Sequence, residues 1–235
     1  MFSSSHVADR RRIAVVLDFD GTLVLQEVGE ILLDEFAPPE WRQEDARYNS
    51  GAITSKELAE RGHGYLPTSK RDEMVEFARS SVVLRAGALD LVSFCKANEV
   101  PLEVVSSGLD LYIAPFLRFF EIDGIPVSAK VADFDQGSFL VPTYPPDIEV
   151  CERLGVCKCS RVRHHQKNGY TVLFAGDGTS DQCVAGEADR AYARSSLAEY
   201  CDRVGIEYTP FESFDVVQND LKAAVKASTD QGGSL

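Results

Sequence analysis

Two aspartates separated by one residue follow an apolar run, in the sequence Asp18-Phe19-Asp20-Gly21-Thr22. Alternate residues of an extended strand point to the same side, so the two carboxyl groups are expected to lie together. Carboxylates that close repel each other unless a cation or a shared proton intervenes. The pair suits a nucleophilic carboxylate, Asp18, beside a carboxyl proton donor, Asp20. A solvated aspartate pair in a loop is the alternative, and the buried strand before the pair disfavours it.

Two further polar segments come at the ends of apolar runs. Ser106, Ser107 and Gly108 offer hydroxyl and backbone N–H groups that could hold phosphate oxygens, although strand-ending serines are also common turn residues. Asp177 ends another run, and Asp181 lies four residues further on the same helical side. Carboxylate oxygens of this kind suit Mg²⁺. Asp181 could also serve as a charge at a helix N-terminus.

Three buried strands must position these side chains. Continuous apolar, β-branched runs at 13–17, 102–105 and 171–175 are typical of strands covered on both faces of a parallel sheet. Helical patterns at 86–98 and 180–188 lie between or after them, which indicates an α/β sheet with right-handed crossovers. Ligands bind such sheets at the carboxyl edge, where all the polar segments above are expected to meet.

A helical insertion interrupts the alternation after the first strand. The interval from 25 to 84 holds no convincing buried strand, and prolines punctuate its helix-like stretches. We predict a helical cap at 25–84, a catalytic core at 1–24 and 85–226, and a flexible tail at 227–235. A β-hairpin is predicted within 124–146. The helix-like stretches of the cap are 27–36, 54–61 and 70–80.

The bulk composition excludes several classes of partner. The 235 residues carry a formal net charge of -13, which repels nucleic acid phosphates and anionic membranes, so no nucleic acid or membrane partner is expected. A phosphate site in so acidic a chain must be locally positive. No apolar stretch long enough to serve as a signal peptide follows the polar N-terminus, so a cytoplasmic location with six reduced cysteines is expected. The sequence carries no clear oligomerisation signal, and monomer and homodimer both stay open.

Together these motifs resemble the haloacid dehalogenase superfamily of phosphatases, from about residue 13 to 217. The resemblance implies a Rossmann-like parallel sheet sandwiched by helices, and hydrolysis of a small phosphomonoester through an aspartyl-phosphate. It implies that Asp18 is the nucleophile, that Asp20 is the general acid and then base, and that Ser106 orients the phosphoryl group. It also implies an Mg²⁺ cofactor at Asp18, Asp20 (through its backbone carbonyl), Asp177 and Asp181.

The resemblance further requires a lysine before the last aspartate segment. Lys158 lies at the predicted start of a helix, whereas Lys167 lies in a polar turn and is typical of a solvated charge; we therefore prefer Lys158. Three cysteines surround Lys158, but a zinc site usually has four ligands with tight paired spacing, so reduced structural thiols are expected. These cysteines are Cys151, Cys157 and Cys159.

The position of the cap resembles the phosphoserine phosphatase-like subgroup, and segments at 36–41 and 132–134 are similar to methionine-salvage phosphatases, which act on a methylthio-ketopentenyl phosphate. Glu27 and Arg61 fall near positions that bind substrate in phosphoserine phosphatases, although charged residues on cap helices are usually solvated. His63 could line the cap entrance or be an ordinary surface histidine. A phosphoserine phosphatase, a phosphotransferase, or a non-catalytic binding or regulatory protein with this fold remain alternatives.

Overall fold

The computed structural model describes residues 12–122 and 124–230. Its strands are β1 (Arg12–Leu17), β2 (Leu102–Leu109), β3 (Val127–Asp133), β4 (Val141–Thr143), β5 (Val150–Cys151), β6 (Gly155–Val156), β7 (Tyr170–Gly176), β8 (Arg190–Ala193) and β9 (Thr209–Pro210). Its α-helices are α1 (Val28–Phe36), α2 (Arg42–Asn49), α3 (Ser55–His63), α4 (Arg71–Ser81), α5 (Ala88–Ala97), α6 (Asp110–Phe119), α7 (Lys158–Lys167), α8 (Gln182–Ala185), α9 (Ser195–Val204) and α10 (Asp215–Asp230).

A seven-stranded sheet runs through the centre in the order β4-β3-β2-β1-β7-β8-β9, parallel except for β4. The strand β1 lies at the centre of this sheet, and its apolar side chains are buried on both faces. Val15 and Leu17 pack into one core with residues of α5, α6 and α10, whereas Val16 packs into a second core with residues of α7, α8 and α9. The predicted parallel sheet sandwiched by helices is therefore confirmed.

The helices α1 to α4 lie between β1 and β2, where the helical insertion was predicted. Two chain segments lead into and out of this insertion and pair with each other. Leu25 N donates to Val83 O at 2.9 Å, and Arg85 N donates to Leu23 O at 2.9 Å. The boundaries at 25 and 84 stay a prediction, and we use the word cap for residues 25–84.

The predicted hairpin is present as β3 and β4, which pair antiparallel. The hairpin also touches the cap. Leu140 N donates to Leu66 O at 2.9 Å, and Thr68 N donates to Ser138 O at 3.0 Å. On the other side of the cap, Tyr144 Oη donates to Glu60 Oε1 of α3 at 2.9 Å. The cap is thus docked against the core through contacts on both α3 and the 66–68 segment.

Two predicted boundaries need correction. The helix expected at 180–188 is a short 3₁₀ turn followed by α8, which ends at Ala185. The tail was expected from 227, but α10 continues to Asp230, and residues 231–235 lie outside the described part of the chain, as does the polar N-terminal segment 1–11. None of the described helices combines the length and apolar character needed to cross a bilayer.

Candidate active site

The loop after β1 turns sharply and brings its polar groups to the carboxyl edge of the sheet. Gly21 has a φ of +65°, and a Cβ at this position would collide with the Asp177 carboxylate, so glycine is required on both grounds. Arg85 is 4% exposed and donates to Gly21 O at 2.5 Å and to Thr22 O at 2.6 Å. These bonds hold the loop against the core.

Asp18 is buried at the end of β1, with one oxygen occupied and one free. Its Oδ1 accepts hydrogen bonds from Phe19 N at 2.7 Å and from Lys158 Nζ at 2.8 Å. Its Oδ2 accepts no hydrogen bond from the described residues. Burial, and next the Asp181 carboxylate, raise the pKa of Asp18 well above its usual value, a shift that positive charge beside the carboxylate opposes.

Lys158 supplies part of that charge from the first residue of α7. Its Nζ lies 2.8 Å from Asp18 Oδ1 and 2.5 Å from Asp181 Oδ1, with a side chain that is 1% exposed. Burial acts to lower the pKa of Lys158, but the two carboxylates together outweigh burial and raise it. Lys167 is exposed at the other end of the same helix. The structure therefore brings Lys158, and not Lys167, to Asp18.

Asp177 and Asp181 follow β7 and have different surroundings. Asp177 Oδ1 accepts from Thr22 Oγ1 at 2.8 Å, while its Oδ2 accepts no hydrogen bond from the described residues. Asp181 is fully buried; its Oδ1 accepts from Lys158, and its Oδ2 accepts from the backbone N–H groups of Asp177 and Gly178. Asp181 therefore orients Lys158 and the turn, and among the two aspartates it is Asp177 that has a free oxygen.

The carboxyl groups around Lys158 fit a divalent cation. Asp18, Asp177 and Asp181 each offer an oxygen within 4.8 Å of the others, and all three are buried. Burial and the neighbouring Asp181 raise the pKa of Asp177, as they do that of Asp18. Three buried carboxyl groups face a single ammonium, and hard oxygen ligands are those that Mg²⁺ takes. Among the described residues, the cysteines near Lys158 form no comparable group.

The Asp20 carboxyl lies outside this cluster and accepts hydrogen bonds at both of its oxygens. Its Oδ1 accepts from Val28 N at 2.8 Å, and its Oδ2 accepts from Tyr112 Oη at 3.1 Å and from Ser106 Oγ at 3.4 Å. Burial raises the pKa of Asp20 to about 6, although the bonds from Val28 and Tyr112 oppose the shift. A carboxyl group with such a pKa can both donate and accept a proton near neutral pH.

The end of β2 supplies the remaining predicted phosphate contacts. Ser106 is buried, and its Oγ accepts from Gly108 N at 2.9 Å. Ser107 Oγ donates to Leu154 O at 3.2 Å, beside the β5–β6 hairpin. A Cβ on Gly108 would collide with Tyr112 Oη and stand 2.8 Å from Asp20 Oδ2, so this glycine leaves room for both groups.

A cavity of about 280 Å³ opens from Asp18 and Asp20 toward the cap. Glu27 lines this cavity, and its Oε1 lies 2.6 Å from the point where a Cβ on Gly21 would stand. Arg61 does not line it: its guanidinium is 40% exposed and pairs with Glu44 at 3.6 Å and Glu57 at 3.7 Å. The structure thus brings Glu27 to the other site residues and leaves Arg61 apart from them. The residues contributed by the cap are Glu27, Gly29, Glu30, Leu33, Trp41, Asp45, Ser55, Leu58, Ala59 and His63.

Sequence reasoning missed two residues of the site and misjudged a third. In the sequence, Tyr112 is one of several apolar positions of α6 and carries no sign of a polar role, yet its hydroxyl donates a hydrogen bond to Asp20. Arg85 follows the cap directly and belongs to no recognised motif. His63, for which we weighed a surface position, is 5% exposed and lines the cavity. A polar residue at a helix position that faces the core is the signal that could have found Tyr112.

Comparisons with known proteins agree with this geometry. A family model described as haloacid dehalogenase-like hydrolase matches residues 15–186. The 2-hydroxy-3-keto-5-methylthiopentenyl-1-phosphate phosphatase of Bacillus cereus is 30% identical over 89% of this chain and 96% of its own length. The protein of the same name from Bacillus velezensis is 29% identical over 88% of this chain and 89% of its own length.

Solved structures show the same fold at low sequence identity. A phosphoserine phosphatase described as a phospho-aspartyl intermediate analogue has a TM-score of 0.66 and 16% identity, covering 89% of this chain and 98% of that one. A cytosolic 5'-nucleotidase IIIB bound to cytidine has a TM-score of 0.63 and 14% identity, covering 96% and 89%. By its family match and its relatives, the chain belongs to the haloacid dehalogenase-like hydrolases, as its motifs predicted.

Proposed function

We propose that this protein is an Mg²⁺-dependent phosphatase that hydrolyses a small phosphomonoester through an aspartyl-phosphate on Asp18. The observation that carries the proposal is the arrangement of two carboxyl groups with different surroundings. Burial raises the pKa of both groups, that of Asp20 to about 6, but their contacts differ: Asp18 has a free oxygen and pairs with a buried ammonium inside the acidic cluster, whereas Asp20 lies outside the cluster and accepts from Val28 N and Tyr112 Oη. Pairs of carboxyl groups set apart in this way divide into a nucleophile and an acid–base group.

In the proposed first step, Asp18 attacks phosphorus in line, and a bond forms between its oxygen and phosphorus. The bond from phosphorus to the leaving oxygen breaks, and Asp20 donates its proton to that oxygen. In the second step, Asp20 takes a proton from water, the water oxygen bonds to phosphorus, and the bond from Asp18 to phosphorus breaks. The products are inorganic phosphate and an alcohol or enol.

The surrounding residues support both steps. Lys158 balances charge at Asp18, and Ser106 lies beside Asp20 where its hydroxyl can orient a phosphoryl oxygen. Asp18, Asp177 and the backbone carbonyl of Asp20 would hold Mg²⁺, which when bound neutralises charge on the phosphoryl oxygens. A single preorganised donor, such as Lys158 or Ser106, lowers the activation free energy by roughly 3 kcal/mol.

For the substrate, we propose the chemistry of the methionine-salvage phosphatases, a phosphate ester with an uncharged, partly apolar leaving group. The relatives named above support this choice. The cavity also supports it, because Leu33, Trp41 and Leu58 supply apolar walls. Among the described residues, no arginine or lysine lines the cavity, while the cap adds three carboxyl groups to it: Glu27, whose pKa burial raises to about 8, Glu30 and Asp45.

Phosphoserine fits this cavity less well. Its carboxylate would face the acidic cap residues, and Arg61, the guanidinium we considered for it, is paired with Glu44 and Glu57 outside the cavity. A purely regulatory or binding role is also disfavoured, because phosphate binding alone does not call for a carboxyl group with the surroundings of Asp20.

A panel of phosphate esters tests the proposal. We expect Mg²⁺-dependent release of phosphate, with kcat/KM for the methylthio-ketopentenyl phosphate at least about tenfold above that for phosphoserine. The variant Asp18→Asn should lose turnover while its melting curve stays cooperative. Turnover that persists in Asp18→Asn would overturn the nucleophile, and a preference for phosphoserine would overturn the substrate class.

A further inference from the structure

The cap contributes one buried polar side chain whose hydrogen bonding is incomplete. His63 is 5% exposed at the end of α3, and its Nδ1 has no hydrogen-bond partner among the described residues. Leaving a buried polar atom unpaired costs about 1 to 3 kcal/mol, so such atoms call for an explanation. Nδ1 itself is closed off from the cavity that opens from Asp18 and Asp20, but His63 lines this cavity, and its other ring nitrogen, Nε2, also has no hydrogen-bond partner among the described residues. A ligand in the cavity could therefore meet the imidazole at Nε2.

The position of His63 relates it to the leaving group of the proposed reaction. Its Nε2 lies 3.1 Å from the point where a Cβ on Gly29 would stand, and Tyr112 Oη lies 3.6 Å from the same point. Tyr112 Oη in turn lies 3.1 Å from Asp20 Oδ2. Since Asp20 gives its proton to the leaving oxygen, the carbon chain beyond that oxygen must pass close to Tyr112 and His63.

The charge state of His63 limits what it can recognise. Burial, and next the nearby Lys130, lower the pKa of His63 well below its usual value, so the imidazole is neutral at physiological pH. Lys130 is 1% exposed on β3 and thus fixed in place. A neutral imidazole offers one donor and one acceptor to a carbonyl or hydroxyl group, and it does not compensate the charge of a carboxylate.

We propose that His63 is a specificity-determining residue that hydrogen-bonds an uncharged carbonyl or hydroxyl oxygen on the carbon chain of the leaving group. This inference rests on the proposed phosphatase function and extends it by naming a residue that recognises the leaving group of the substrate. Gly29 takes part, because a side chain there would press against the imidazole. A site built around a hydrogen bond rejects the analogue that lacks the bonding group, since its own polar atom is then left unpaired.

The hydrogen bond between His63 and the substrate oxygen can be isolated by removing the imidazole from the enzyme and the carbonyl group from the substrate, separately and together. The substrates are 2-oxopentyl phosphate and pentyl phosphate, and the enzymes are wild type, His63→Leu, His63→Asn and Arg61→Leu. We expect wild type to favour the ketone by about tenfold or more in kcat/KM, and His63→Leu to lose that preference. His63→Asn, which keeps a short polar group, should retain part of it. Arg61→Leu, on the same helix but outside the cavity, should retain all of it.

The outcomes separate this inference from the proposed function. If His63→Leu keeps the ketone preference, or loses activity equally on both substrates, the role of His63 is wrong while the phosphatase stands. If wild type hydrolyses neither ester with Mg²⁺, both proposals fail. If the variants do not fold, a binding measurement on wild type tests the same contact. After the ¹⁵N resonances of His63 have been assigned, they should shift when the ketone-bearing phosphonate is added and should not shift when the alkyl phosphonate is added. Equal shifts for both would contradict the inference.

Discussion

Replacement of Lys158 by methionine removes the buried cation and keeps most of the side-chain volume. The ammonium lies within 2.8 Å of Asp18 and 2.5 Å of Asp181, and both carboxylates are buried. Removing one partner of a buried ion pair costs about 3 to 5 kcal/mol. We expect a loss of about 3 kcal/mol in the unfolding free energy at neutral pH in EDTA, at the lower end because a carboxyl group left alone can take up a proton.

The loss should depend on pH in a defined direction. Without Lys158, the pKa of Asp18, which is already raised in the folded state, rises further. A carboxyl group with a raised folded pKa destabilises the fold fully above that pKa, and the penalty declines as the pH falls from the folded pKa toward the lower pKa of the unfolded chain. The deficit of Lys158→Met should therefore be largest at neutral and alkaline pH and should shrink toward about pH 5.

Urea unfolding followed by circular dichroism measures both quantities. Lys167→Met is the matched control, because this lysine is exposed on the same helix and should change the stability by less than about 0.5 kcal/mol. Turnover of Lys158→Met should fall by about 100-fold or more, since a preorganised charge at the reacting group is lost. A deficit below about 1 kcal/mol, or one that does not change with pH, would refute this description of the acidic centre.

Three further predictions follow from the same contacts. Gly108→Ala should lower kcat at least about tenfold without unfolding the protein, because its Cβ collides with Tyr112 Oη beside Asp20; kinetics with a thermal melt check this. Mg²⁺ should raise the melting temperature more at alkaline than at acid pH, because protons compete for Asp18 and Asp177, whose pKa values are raised; scanning calorimetry measures it. Arg61→Ala should change kcat/KM for the preferred ester less than about threefold, because its guanidinium pairs outside the cavity.

The sequence predicts those features that depend on local pattern and on general rules of α/β sheets. Continuous β-branched runs place β1, β2 and β7 in the interior, and the carboxyl edge of a parallel sheet then brings Asp18, Ser106 and Asp177 together. The β2 strand is longer than predicted because Ser106 to Leu109 continue it while bending toward α6. These features need no knowledge of side-chain packing.

Other features depend on contacts that no local pattern contains. The α2 helix was missed because its residues are nearly all polar, so it shows no apolar stripe. The bond between Tyr112 and Asp20 joins residues 92 positions apart. The sequence favours Lys158 over Lys167 by its place at a helix start, but its burial against Asp18 and Asp181 is known only from the structure. The roles of Arg61 and His63, two residues apart on α3, differ because only one of them faces the cavity.

The most direct test of the central claim is the chemical identity of the intermediate. A single-turnover reaction with ³²P-labelled ester and Mg²⁺ is stopped with acid, the protein is digested, and the labelled peptide is sequenced by mass spectrometry. We predict one phosphoryl group per chain on Asp18, sensitive to hydroxylamine and absent from a folded Asp18→Asn variant. Label on another residue, or turnover by Asp18→Asn close to that of wild type, would contradict the account.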